Sequence, residues 1–219
     1  MLLEFASGSV YNIPEVIYTD SENNRVVLGA GALEAPLPVT LVTCTNGRET
    51  NAFTVAWTGI ISTKPPMTYI SVRPTRHSYH IIRESGEFVI NAVDADTVRT
   101  ADACGTYTGK VCDKFARYGL TTVPSEYVSC PTLAESPISL ECRVEKILPL
   151  GSHHMFIARI LGVTVRSDLA GEGGRIRLDR ARLAAFAHGE YFELGKSLGR
   201  FGFSVANKKH RTGKGKKTK

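Results

Sequence analysis

The sequence predicts a mainly β protein with flanking α-helices, an antiparallel β-barrel in class. Three observations carry that prediction. Short runs rich in Val, Ile and Thr recur along the chain between turn residues. Few helical patterns separate those runs, which argues against an alternating βαβ fold with a parallel sheet. A strong hairpin signal, Asn46–Gly47, joins two of them near the start of the organised region.

Residues 1–35 mix short apolar runs with polar turns and are expected to form an N-terminal extension packed on the domain. The domain itself is expected over residues 36–206. "PVTLVTCT" (38–45) alternates as a strand, Asn46–Gly47 turns the chain, and "ETNAFTVAWTGIIS" (49–62) returns as a second strand. "KPP" at 64–66 ends that hairpin, and "MTYISVR" (67–73) is a third strand. In "TRHSYHIIRESG" (75–86) the apolar Tyr79, Ile81 and Ile82 mark a short helix that starts near Pro74 or Thr75 and stops at Gly86. "EFVINAV" (87–93) is a fourth strand, and residues 94–120 read as helical at both ends and broken at Gly105 and Gly109. After Pro137 two long strands meet around Pro149 and Gly151. An apolar segment of mixed character, residues 175–195, closes the domain.

At 219 residues and 42% hydrophobic content the chain is long enough to bury one sizeable core. Its formal net charge of +6 is local: residues 207–219 hold seven of the 27 basic residues and no acid, which leaves 20 against 21 elsewhere. That basic tail has no apolar periodicity and reads as disordered, a solubilising extension or a nonspecific polyanion contact, and nucleic acid is not an expected partner of the folded part. Five cysteines, with no CxxC pair and no zinc-like spacing, fit a reduced, cytoplasmic protein. No run approaches the roughly 18 apolar residues of a spanning helix, and no basic region opens the chain, so neither membrane insertion nor export is expected.

"SVRPTRHS" (71–78) concentrates groups that suit an anion. Ser71 and Arg73 share a strand face, and the helix opening just beyond them offers free backbone amides, the positive end of the helix dipole and the hydroxyls of Thr75 and Ser78. A phosphate there would meet amides, hydroxyls and a guanidinium that binds bidentately. The plain alternative makes Thr75 an ordinary cap and leaves the arginines in solvent.

Several longer stretches resemble a known family. They are "TNAFTVAWTGIISTKPPMTYISVRPTRHSYHIIRESGEFVIN", "CGTYTGKVCDKFARYGLT", "LECRVEKILPLGSHHMFIARI" and "GEYFELGKSLGRFGFSV", which follow one another from about Pro36 to Val205. Together they are similar to the flavin reductase-like, FMN-binding split-barrel family that includes the flavoredoxins. The resemblance implies a split β-barrel, a homodimer and one noncovalent FMN per subunit. It implies that the flavin ring lies along Asn51, Ala52, Thr54, Ala56 and Trp57, and that the phosphate is met by Ser71, Arg73, Arg76, His77 and Ser78.

The residue types suit that placement. Ala52 and Ala56 leave room for a flat ring, while Asn51 and Thr54 offer polar contacts to its edge. Lys114 can place positive charge near the cofactor, which stabilises a reduced anionic flavin. Each position keeps an ordinary reading as well: strand polarity for Asn51 and Thr54, core packing for Trp57, solvation for Lys114. Cys104 reads as a buried structural thiol.

His153 and His154 are neighbours on a turn between strands and point to opposite faces, so no metal site is expected of them. By resemblance His153 approaches the flavin and helps seat a nicotinamide. His154 and Arg159 depart from the family pattern where a small acidic residue and an acid are usual. The expected function is an FMN-dependent oxidoreductase that takes hydride from NADH or NADPH and passes electrons to free flavin, a ferric chelate or a redox protein partner. The rival is a flavoredoxin-type electron carrier with no NAD(P)H activity of its own.

Overall fold

The computed structural model describes residues 14–205. The expected basic tail at 207–219 and the first thirteen residues of the N-terminal extension lie outside them. What is described of the extension is a hairpin of β1 (Val16–Asp20) and β2 (Arg25–Leu28), paired only with each other and mostly exposed. After β3 (Leu37–Pro38), β4 (Thr40–Thr45) and β5 (Thr50–Val55) form the expected hairpin. Its turn runs over four residues, with Gly47 at φ 83° and the Asn46 side chain accepting from the amides of Arg48 and Glu49. β6 (Thr58–Thr63) and β7 (Pro66–Val72) form a second hairpin around the "KPP" turn.

The run 49–62 is therefore two strands, not one. It breaks at Ala56–Trp57, where the chain leaves one partner strand for another. Helix α1 (His77–Ser85) begins two residues later than expected, with Arg76 at the cap position and no side-chain cap bond. Pro74 and Thr75 belong to a turn closed by the Arg76 amide on the Arg73 carbonyl, 3.0 Å, which delays the helix. Gly86 ends α1 as expected, at φ 70° with its N–H on the Ile82 carbonyl. β8 (Glu87–Ala92) follows, then α2 (Val98–Thr106) and α3 (Lys114–Tyr118). Gly105 lies inside α2 and does not break it. A small pair, β9 (Thr122–Val123) and β10 (Thr132–Leu133), precedes the two longest strands, β11 (Ile138–Pro149) and β12 (His154–Val165). The closing segment becomes the hairpin β13 (Ala184–Ala187) and β14 (Glu190–Glu193), which adds to β3.

The main sheet is antiparallel, in the order β5-β4-β8-β11-β12-β7-β6. Its outer strands, β5 and β6, adjoin in sequence yet do not pair, so the curved sheet stays open there as a split barrel. The amide of Ser71 on the carbonyl of Trp57, 3.0 Å, ties the bend between them to β7. Inside, Ile70, Ile81, Ile82, Phe88 and Phe156 are completely buried, and α1 lies against this core through Tyr79, Ile81 and Ile82.

One polar residue organises the interior. Asn91, on β8, is buried and donates to the Leu41 carbonyl at 3.0 Å and the Thr43 hydroxyl at 3.2 Å. Its carbonyl oxygen accepts from the Leu133 amide at 3.0 Å and the Ser139 hydroxyl at 2.9 Å. A buried amide keeps its place only when both ends are satisfied, and this one ties β4, β8, β10 and β11 together.

Candidate functional site

Lys114 fixes the centre of the site. It opens α3, a helix whose start is set by the Asp113 carboxylate accepting from the amides of Phe115 and Ala116 at 3.0 and 3.1 Å. The ammonium donates to the carbonyls of Ala52 and Cys104 at 2.8 and 2.7 Å, and the residue is only 2% exposed. Among the described residues no carboxylate pairs with it, and burial holds its pKa below that of an ordinary lysine. A buried cation with no counter-ion is costly. It lines a cavity of about 230 Å³.

That cavity gathers most of the residues singled out from sequence. β5 contributes Asn51 and Thr54, the end of β7 contributes Arg73, and α1 contributes His77 and Ser78, with Arg76 just before it. Asn51 donates to the Ser78 hydroxyl at 2.8 Å, and Arg76 reaches the Gly105 carbonyl at 3.2 Å. The amides of His77 and Ser78 open a helix, where no intrahelical acceptor precedes them. Three basic side chains, two free amides and a hydroxyl around one hollow suit a phosphate ester.

Sequence reasoning missed part of the wall. Tyr107, Thr108 and Gly109, between α2 and α3, close the cavity with Gly105. A β-carbon on Gly109 would stand 2.4 Å from the Asn51 side-chain oxygen, and one on Gly105 would stand 3.2 Å from Thr54. Their glycine character therefore serves close approach to β5; the signal was present, but it read as helix breaking. Thr54, by contrast, already donates its hydroxyl to the Ala101 carbonyl.

Trp57, Ser71 and His153 stand elsewhere, in a second cavity of about 350 Å³ lined also by Tyr69 and Met155. The rings of Trp57 and His153 lie 4.5 Å apart, tilted by 42°. Arg73 links the two hollows, lining the first and donating from Nε to His153 Nε2 at 3.4 Å. Partial burial, then the charges of Arg73 and Arg76, push the His153 pKa below its ordinary value, so the ring is neutral at pH 7. The tract thus runs from a cationic pocket to an aromatic one, where Glu34 is the charged residue of the lining.

Ala52 and Ala56 line neither hollow. Ala52 is fully buried, with its carbonyl occupied by Lys114. His154 and Arg159 are also set apart: the His154 ring contacts the Tyr79 hydroxyl at 2.7 Å, and Arg159 pairs with Glu145 at 2.6 Å. Their departures from the family pattern therefore do not reshape the cavities. The Cys104 thiol is buried, and burial pushes its pKa up to about 11, which leaves it protonated and unreactive at pH 7.

Comparison with known proteins gives this arrangement its context. The family model of the flavin reductase-like domain matches residues 33–195. The chain belongs to that family. A relative from Halalkalibacterium halodurans, an uncharacterised protein, is 33% identical over 187 residues, 78% of this chain and 88% of the relative. Among solved structures, the flavoredoxin of Desulfovibrio vulgaris superposes with a TM-score of 0.77 at 32% identity, covering 84% of this chain and 100% of that one. An NADH:FMN oxidoreductase from Rhodococcus qingshengii is 22% identical over 166 residues, 74% of this chain and 84% of its own.

Proposed function

We propose that this chain binds FMN across the two hollows and acts as an NAD(P)H-dependent oxidoreductase for free flavin, a ferric chelate or a redox protein. The observation that carries the reading is the buried Lys114, which has no carboxylate partner among the described residues, at the floor of a cavity walled by Arg73, Arg76 and Ser78. A phosphate monoester supplies the negative charge that this site lacks, so the residues present fit the cofactor. When bound, FMN supplies a centre that accepts two electrons from a hydride donor and releases them to an acceptor.

The protein's own part is holding and shielding. His77 and Ser78 offer amides and a hydroxyl to the phosphate, and Arg73 offers a guanidinium. Trp57 and Tyr69 give flat surface beside the aromatic end, and His153, uncharged, orients a nicotinamide there without adding charge. Two partners complete the proposal. A second copy of the chain would cover exposed apolar side chains such as Ile60, Ile61 and Phe192, and a cytoplasmic setting would keep the five free thiols reduced.

The deciding experiment is an anaerobic absorbance spectrum of the FMN-loaded protein before and after NADH or NADPH. Bleaching of the visible flavin band within seconds is the expected result; a bound flavin that stays oxidised would refute nicotinamide use. Replacing Arg73 by alanine should weaken FMN by about tenfold in a fluorescence titration, the loss of one charge-assisted contact. His153→Ala should keep its FMN and slow reduction in stopped flow; equal rates would remove His153 from the reaction.

A second reading has its own support. The likeness to a flavoredoxin spans the whole of that protein at 32% identity, which favours an FMN electron carrier reduced by a protein partner. The same spectrum separates the two.

A further inference from the structure

A group of ligand-type side chains lies on the far side of His77. Glu49, in the turn between β4 and β5, faces His77 and His80 on the first turn of α1. The Glu49 carboxylate oxygens stand 3.0 Å from His77 Nε2 and 3.4 Å from His80 Nε2, and all three ligand atoms lie within 4.8 Å of one another. We propose that Glu49, His77 and His80 form a binding site for a divalent transition-metal ion of the zinc class.

The distances suit a shared metal. Ligands held about 2.0–2.1 Å from a tetrahedral zinc stand about 3.3 Å apart, inside the observed span. Two imidazoles and one carboxylate are a donor set that zinc and its neighbours prefer over magnesium or calcium. Three protein ligands leave one position for water, the pattern of an accessible site and not of a closed structural one.

The scaffold holds the donors in place without any metal. Residues three apart on a helix share a face, and the two rings meet edge to face with centroids 5.1 Å apart. Helix α1 is pinned to the core by Tyr79, Ile81 and Ile82. Glu49 is fixed through its backbone: its amide donates to Asn46 Oδ1 at 2.9 Å, and its carbonyl accepts from the Asn46 amide at 3.2 Å and the Thr45 hydroxyl at 2.9 Å. Asn46 in turn donates to Glu84, one turn further along α1, at 2.8 Å, so the loop and the helix are bound together.

His77 supplies a second, independent observation. Its Nδ1 is buried and has no hydrogen-bond partner among the described residues. A metal on Nε2 makes Nδ1 the protonated nitrogen, a donor for an anion in the cavity that His77 lines. The site is thus complementary to FMN binding yet does not depend on it.

The test is a calorimetric titration of the full, untagged chain with Zn²⁺ after treatment with a chelator, repeated with Co²⁺ followed by its visible absorption. The expected result is one zinc per chain at micromolar or tighter Kd. Glu49→Gln and His80→Ala should each weaken it by about tenfold or more, and both residues are exposed enough for the variants to fold, which circular dichroism verifies. Absence of saturable zinc binding, or binding that either variant retains at full strength, overturns the proposal. The second outcome would place the metal on other residues. Because heat and the cobalt band are the readouts, loss of the flavin reading leaves this result untouched.

Discussion

Lys114→Met is expected to weaken FMN binding by about tenfold to a hundredfold. The substitution keeps the length of the side chain and removes the one buried cation in the cavity floor. A charge-assisted contact to phosphate contributes about 1.5–3 kcal/mol, which converts to that range of affinity. Isothermal titration with FMN reads it directly, and unchanged affinity would put the phosphate elsewhere.

The same variant exposes a pH dependence. Burial lowers the Lys114 pKa from 10.5, so just below that value the folded chain holds fewer protons at this site than the unfolded chain does. Stability of the FMN-free protein therefore carries a contribution that rises as pH increases towards 10.5, and this contribution is missing in Lys114→Met. Urea midpoints of the two proteins between about pH 7 and pH 10 should converge or cross, not run parallel. Bound phosphate favours the ammonium form and should flatten the wild-type slope.

Asn91→Leu should be the most damaging single change in the fold. It keeps the branching of the side chain but leaves the Leu133 amide, the Ser139 hydroxyl and the Leu41 carbonyl without the bonds they make now. Each stranded buried group costs about 1–3 kcal/mol, so the total approaches the whole stability of a typical domain. Denaturant unfolding should show a large fall in midpoint or no folded protein at all. Asn91→Asp keeps an accepting oxygen but buries a carboxylate against the Leu41 carbonyl, so at neutral pH a loss as large is expected, which eases as the pH falls and the acid is protonated. A leucine variant as stable as the wild type would show that the four strands hold without the node.

Local chemistry was readable in the sequence where it decides structure alone. Asn46–Gly47 turns a hairpin because of what those two residues allow, and Gly86 ends α1 for the same reason. The break at Ala56–Trp57 was not readable, because "TVAWTGIIS" is a continuous strand-like run. Only the competition between β4 and β7 for its two halves divides it. Lys114 has the look of a solvated helix residue, and its burial depends on the carbonyls of Ala52 and Cys104, far from it in the chain. For Gly105 and Gly109 the identity was visible but the cause was not, since the crowding comes from Asn51 and Thr54 across the cavity. Glu49 and His80 are separated by 31 residues, so no spacing rule could have joined them.

The open edge of the sheet has a further consequence. An outer strand with Ile60 and Ile61 exposed at 62% and 48% presents unpaired backbone groups beside apolar side chains, the combination that recruits other chains into fibrils. The pairing of β6 with β7 skips a residue between Ile60 and Ser62, so Ile61 stands out of register as a bulge. A bulged edge offers no evenly spaced row of donors and acceptors for a second edge to copy. That irregularity lets the barrel remain open without the opening becoming a template for polymerisation.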